Sequence, residues 1–186
     1  MSNYQAACFS TEWILAVKEF TDAQIGNGYF SESKLADIIE RSTSNGECAS
    51  FILLTEDLQV VGVRLTLAPG NWIDTKRSKV SPHLWNVSKS KVGYFQSLFL
   101  HPSVQGIGWG SHLSNMSIDV LRSQGAKAIV AHSWVESPQD SSRRYLKRNG
   151  FQTVATHKEY WKDVKYECTR DGYPCLCTAE EMIKFI

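Results

Sequence analysis

Leu98-Phe99-Leu100-His101-Pro102-Ser103-Val104-Gln105-Gly106-Ile107-Gly108-Trp109-Gly110-Ser111 sets three alternate glycines between an apolar strand run and the start of a helical pattern. Val92–Leu100 reads as a strand closed by His101-Pro102. Trp109, Leu113, Met116, Val120 and Leu121 then recur at helical spacing until Gln124-Gly125 stops them. Lacking a Cβ, glycines here can take positive φ and turn backbone N–H groups into a shared concavity. The helix start behind them adds unpaired N–H groups and partial positive charge, and the two together suit a pyrophosphate. A bare turn needs one glycine rather than three.

Two familiar phosphate loops fit badly. A P-loop requires Lys-Ser or Lys-Thr after the last glycine, where this chain has Ser111-His112. A dinucleotide fingerprint requires G-x-G-x-x-G and an acidic residue about 20 positions on; the spacing here is G-x-G-x-G, in mid-chain. At these residues the chain resembles the GNAT acetyltransferase superfamily, whose signature is Gln or Arg, two residues, Gly, one residue, then Gly or Ala. Gln105-Gly106-Ile107-Gly108-Trp109-Gly110 matches it at every position. Arg144-Tyr145-Leu146-Lys147-Arg148-Asn149-Gly150-Phe151 likewise resembles that family's helix followed by Gly-Phe. The resemblance runs from about Ala49 to Tyr160, and the two N-terminal helices fit it.

The resemblance implies acetyl-CoA as acyl donor and a primary amine as acceptor, the amine attacking the thioester directly in a ternary complex. Leu98 and Leu100 would lend backbone groups to the pantetheine arm, and the N–H of Phe99 or Leu100 would hold the thioester carbonyl. Gln105, Gly106, Ile107, Gly108, Trp109 and Gly110 would wrap the pyrophosphate, with Ser111 at the helix start. The family's strand Glu is missing from Phe95-Gln96-Ser97-Leu98-Phe99, so a base is expected from His132, Glu136 or water; a histidine is chemically apt near pH 7. The family's usual Tyr falls on Leu146 here. Tyr145, about 100° around the helix, is the candidate acid for the leaving thiolate, and reaches it only if that helix is rotated or unwound. If the amine enters neutral, positioning alone can carry much of the rate.

Outward from this centre, Tyr4–Phe9 reads as a short strand. Two helices follow, one around Trp13, Ala16, Val17 and Phe20 capped by Ser10 or Thr11, one around Leu35, Ile38 and Ile39 opened by Ser31 or Ser33. Ser42–Glu47 is a polar loop, and Ala49–Leu54 with Val60–Leu67 is a hairpin. Residues 68–90, with the basic run Lys76-Arg77-Ser78-Lys79, form a long loop of the kind that is functional or mobile; a lid over the acceptor is expected there. Ala128–Val135 is a strand, Ser141–Asn149 a short helix, Gln152–Tyr160 a last strand or two, and Ala179–Phe185 a helix. The predicted fold is one α/β domain over 1–186, with a mixed, mostly antiparallel central sheet and helices on both faces.

Bulk composition narrows the classes. Lys+Arg 20 against Asp+Glu 19 gives no global pull toward nucleic acid or an anionic membrane. The N-terminal residues lack a basic and apolar leader, and no apolar run approaches the roughly 18 residues of a membrane span. A cytoplasmic protein is expected, with a homodimer as the commonest assembly for such folds.

Five cysteines, Cys8, Cys48, Cys168, Cys175 and Cys177, argue for reduced thiols. Cys168-x6-Cys175-x-Cys177 departs from usual zinc spacing, and a fourth ligand would have to come from elsewhere, such as His157 or Cys48; no metal is expected. Arg143, Arg144, Lys147 and Arg148 can meet the 3′-phosphate of coenzyme A or an acidic acceptor, or form a solvated face favoured by the helix C-terminal dipole. Trp72, Trp85, Trp134 and Trp161 are candidates for an acceptor cleft or for core. The competing reading is a non-catalytic acyl-CoA sensor or partner-binding module, kept open by the missing Glu and displaced Tyr.

Overall fold

The computed structural model describes residues 4–72 and 79–186. The elements run β1 (Tyr4–Cys8), α1 (Ile14–Ile25), α2 (Glu32–Ser42), β2 (Thr43–Ser44), β3 (Glu47–Cys48), β4 (Phe51–Thr55), β5 (Val60–Leu67) and β6 (Val92–Leu100). Then follow α3 (Trp109–Ser123), β7 (Ala128–Trp134), α4 (Ser141–Arg148), β8 (Gln152–His157) and β9 (Ala179–Phe185). Seven strands form one sheet in the order β1-β4-β5-β6-β7-β9-β8. Every pairing in it is antiparallel except β6 with β7, as the expected mixed sheet requires.

Alternation along the strands builds two cores. Ile52, Leu54, Val63, Leu65 and Leu67 face Val17, Leu35 and Ile38 of the first two helices. Phe51 and Leu53 turn the other way, onto Leu113 of α3, and Phe95, Ile129 and Met182 meet Leu121 and Leu146. The helices therefore cover both faces. Ser31 caps α2 by accepting from Lys34 N–H at 3.1 Å. The start of α1 is different: a 3-10 turn at Thr11–Trp13 precedes it, and Ser10 Oγ binds Glu12 rather than a helix N–H.

Four expectations need correction. The polar loop at 42–47 holds a two-residue hairpin turn, Asn45-Gly46, with both φ positive (53° and 80°), the geometry that matches strand twist. The strand expected over Gln152–Tyr160 stops at His157. Ala179–Phe185 is a strand, β9, lying between β7 and β8. Its Ala, Glu, Met and Lys favour helix, yet Ala179, Glu181, Met182 and Ile183 are all buried, so pairing on both edges and burial on both faces override propensity.

The fourth concerns 68–90. Residues 73–78, including most of the basic run, lie outside the described residues. The rest is tied into the core: Trp85 is fully buried and Trp72 nearly so. Trp72 stacks on Tyr94 at 4.5 Å and its indole donates to Val92 O at 2.7 Å. Trp134 and Trp161 pack instead around the tail cysteines. These four tryptophans are core, not cleft. No helix among the described residues is long and apolar enough to cross a membrane.

Candidate active site

The sheet opens at one point. β6 pairs with β7 from Val92↔Ala128 to Phe95↔Ala131 and no further, although β6 runs on to Leu100 and β7 to Trp134. The cause is a bulge: against β5, Leu65 faces Ser97 and Thr66 faces Phe95, so Gln96 is an extra residue. A bulge bends its strand and ends regular pairing, a device common beside active sites. Residues 97–100 keep their β5 partners, and their other backbone edge faces the fork.

At the end of that strand the glycine turn takes the form the sequence suggested, with one refinement. Gly106 and Gly108 have φ of 75° and 98°, and a Cβ added to either would meet nothing within 4 Å. Gly110 is helical. Its role is close approach, since a Cβ there would lie 3.3 Å from both Leu98 Cδ2 and Leu100 Cδ1. Gly108 is the N-cap of α3 and His112 N–H is the first to reach back, to Gly108 O at 3.0 Å. The N–H groups of Trp109, Gly110 and Ser111 thus lack an intrahelical acceptor. Ile107, Gly108, Trp109 and His112 line a shallow depression at this point. Open space beside two glycines and free N–H groups on a helix start fit a pyrophosphate.

Gln105 does not face the concavity. Its amide donates to Leu100 O at 2.8 Å and locks the turn to the strand end. His101 caps the same turn through Ser103, with Nδ1 and Oγ 2.8 Å apart. Phe99 packs toward the α1/α2 face, Leu98 and Leu100 toward α3.

Behind the fork lies a polar chain that the sequence did not announce. Arg64 of β5 is buried, its guanidinium carbon 4.1 Å above the Phe95 ring. Nε and Nη2 donate to Ser114 Oγ of α3 at 3.1 and 2.9 Å. Ser114 Oγ lies 2.6 Å from Tyr145 Oη, which donates to Gly110 O at 3.0 Å. Since Arg64 fills the acceptor sites of Ser114 Oγ, the serine proton goes to Tyr145. Burial pulls the Arg64 guanidinium below its ordinary value, and the Tyr145 oxygen partly offsets this. Tyr145 is thereby drawn across to the start of α3, while Leu146 fills the core. A short α4 that begins after two positive-φ residues, Gln139 and Asp140, allows that placement.

On the opposite face of the fork sits His132. Nε2 is 3.1 Å from Lys79 O, a pure acceptor, so it carries the proton; Nδ1 then accepts from Tyr94 Oη at 2.8 Å, with Tyr160 Oη at 3.3 Å. Burial pushes its imidazole down to about 4, against the opposing pull of Glu181. Glu181, buried on β9, accepts from Trp85 Nε1 (2.6 Å) and Ser81 N–H (3.0 Å) and lies 2.8 Å from His157 Nε2. Burial works against its charge, but those hydrogen bonds hold its carboxyl below the usual range. Sequence reasoning missed Glu181 because it fell in an apparent helix.

Glu136 is elsewhere. Both its oxygens accept from Thr178 N–H, at 3.1 and 2.9 Å, which anchors the tail and leaves the fork without this carboxylate. Arg143 is held by Asp140 and Glu180, whereas Arg144, Lys147 and Arg148 are exposed.

The whole chain superposes on solved acetyltransferases at low identity. Naa50 of Arabidopsis thaliana, in complex with the bisubstrate analogue CoA-Ac-MVNAL, aligns with a TM-score of 0.67 and 17% identity over 99% of each chain. The ribosomal-protein-S18-alanine N-acetyltransferase of Escherichia coli gives 0.67 and 16%, covering 98% of this chain and 94% of that one. The yncA protein of Salmonella typhimurium, solved with acetyl-CoA, gives 0.67 and 15%, covering 99% and 94%. No curated protein matches the chain in sequence. The profile of the acetyltransferase (GNAT) family matches residues 15–151, and with the glycine cradle and the fork in place the chain belongs to that family, as an acetyl-CoA-dependent N-acetyltransferase.

Proposed function

We propose that the fork between β6 and β7 is the catalytic centre, where a neutral primary amine attacks the thioester in a ternary complex, Tyr145 gives its proton to the departing thiolate, and the acylated nitrogen returns its surplus proton to the Tyr145 oxygen. The observation that carries this is the cradle: free N–H groups at the start of α3 beside the open faces of Gly106 and Gly108, one strand-end away from the splayed edge. When bound, acetyl-CoA supplies an activated thioester. Gly106 through Ser111 hold the pyrophosphate, the open edge of Leu98–Leu100 holds the pantetheine arm, and a strand N–H at Phe99 or Leu100 polarises the carbonyl.

Tyr145 is the acid in this reading. Its proton points at Gly110 O and can swing to a thiolate, while Ser114, itself held by Arg64, donates to the oxygen that gives it up. His132 is not the base. Its lone pair is occupied by Tyr94 and its imidazole is too weakly basic at neutral pH to deprotonate an ammonium. Instead His132 orients the Tyr94 and Tyr160 hydroxyls on the acceptor face, and the amine sheds its proton to water before attack. Peptide N-termini are the first acceptors to try, because a solved relative carries a peptide-like bisubstrate analogue. A cytoplasmic location and a homodimer belong to the same reading.

The test is Ser111→Glu. A carboxylate in the first turn favours the helix itself but opposes a pyrophosphate at the same N–H groups. Calorimetry should show acetyl-CoA affinity falling about tenfold or more with Tm unchanged or raised. Unchanged affinity in this variant would remove the cradle from the site. Coenzyme A release with a panel of peptides and small amines separates enzyme from sensor: tight binding of acetyl-CoA without release across the panel would favour the non-catalytic reading.

A further inference from the structure

The tail that follows β8 gathers four side chains that acetyl transfer does not use. Cys168, Asp171, Cys175 and Cys177 each point one ligand atom inward, and these four atoms all lie within 4.8 Å of one another. The Cys177 thiol is 3.1 Å from Asp171 Oδ2. All three sulfurs are buried and none is in a disulfide. The sequence reading sought a fourth ligand at His157 or Cys48; the structure supplies it from between the cysteines.

The backbone brings these ligands together. Cys168 and Gly172 exchange both backbone hydrogen bonds, at 3.0 and 2.9 Å, closing a tight turn over Thr169–Asp171. The Arg170 guanidinium stands 3.8 Å from the Cys177 sulfur. Trp134 packs against the same cluster, and its buried indole N–H has no hydrogen-bond partner among the described residues.

We propose that Cys168, Asp171, Cys175 and Cys177 form a structural zinc site that fixes the entry to β9. Tetrahedral zinc with bonds near 2.3 Å to sulfur sets its ligands about 3.8 Å apart, so the observed cluster needs only side-chain adjustment to close. Cys168-x2-Asp171 has the spacing of a zinc-binding pair. The Cys175-x-Cys177 pair, too close for a regular element, is presented by an irregular loop. Three thiolates select a soft cation over calcium or magnesium, and four protein ligands leave no position for substrate. Three thiolates, one carboxylate and a dication leave a net charge of −2, which Arg170 partly offsets. β9 begins two residues after Cys177, and Glu136 and Val135 bind Thr178 between them. The metal would therefore hold the strand that delivers Glu181 to the acceptor side of the fork.

The experiment is elemental analysis of the full chain, purified without chelator from zinc-supplemented cells. One zinc per chain is expected in the wild type, none in the Cys175→Ser/Cys177→Ser double variant, at least a tenfold weaker affinity in Asp171→Asn, and retention in Asp171→Cys. Should the double variant fail to fold, cobalt(II) titration of chelator-stripped wild type and Asp171→Asn decides. Thiolate-to-cobalt charge-transfer absorption that weakens in Asp171→Asn supports the site. Wild-type zinc no higher than in the double variant, or no charge-transfer absorption in the wild type, overturns it. So does mass-spectrometric evidence that Cys168 is disulfide-bonded to Cys175 or Cys177 in the native protein.

Discussion

Two N–H groups of Arg64 converge on a single oxygen, Ser114 Oγ, at 3.1 and 2.9 Å, and no carboxylate pairs with this guanidinium among the described residues. The buried cation is thus supported by the Ser114 hydroxyl, the Phe95 ring and, behind them, Tyr145. Ser114→Ala removes the acceptor and leaves the charge unpaired. It should destabilise the fold by about 2–4 kcal/mol and also slow turnover, because Tyr145 loses its link to the charge. Thermal melts and steady-state rates of Ser114→Ala, with Ser114→Thr as the conservative comparison, check this.

Tyr145→Phe separates the acid role from a packing role. The ring stays beside Gly110, so acetyl-CoA affinity and KM should change little. If the hydroxyl protonates the leaving sulfur, kcat should fall about a hundredfold. An unchanged kcat would return Tyr145 to the core and leave sulfur departure to water.

Acid should loosen the acceptor side first. His132 sits near 4 in the fold against about 6.5 in the unfolded chain. The unfolded state therefore binds its proton first, and stability is lost as pH falls below 6.5, the loss being complete below 4. Glu181, held below its usual range, adds a further loss in the same direction as it protonates. Facing these groups are His157, Tyr94 and Tyr160. Between pH 7.5 and 5 the His132 contribution is about 2 kcal/mol. Melts across this range should show His132→Gln less acid-sensitive than the wild type.

Trp85 ties the 68–90 segment to the core, so truncating it should unfold more than a loop. Trp85→Ala should cost about 3–5 kcal/mol and orphan Glu181 Oε1 as well. Trp85→Phe keeps most of the volume but loses the N–H, and should cost about 1–2 kcal/mol. Chemical denaturation of the two variants measures the difference. Equal, small losses would mean that this segment is a detachable lid.

What could be read without coordinates follows from where the information is local. Helical spacing placed α3 to within its stop at Gln124-Gly125, and the glycine pattern marked a turn that takes positive φ at Gly106 and Gly108, because turn geometry is a property of a few adjacent residues. A short apolar run gave β4 and an alternating one β5. The bulge at Gln96 was invisible, since only the partner strand shows that a residue is extra. Glu181 and Arg64 were missed for a related reason: a buried charge is recognised by its partners, and Trp85, His157, Ser114 and Tyr145 are distant in sequence. Tyr145 lay one position off the family's pattern, and the Ser114 and Gly110 partners that place it are distant in sequence.

The insertion of β9 between β7 and β8 has a consequence for synthesis. On the ribosome, β8 emerges before the strand that will join it to the sheet, and β7 presents an open edge until Ala179–Phe185 arrives. β8 must wait for a late segment, and contacts made that far along the chain close slowly. A nascent chain paused within 158–178 would hold the open edge of β7 and an unpaired β8 at once, the condition that invites strand exchange with a neighbour and a call on chaperones.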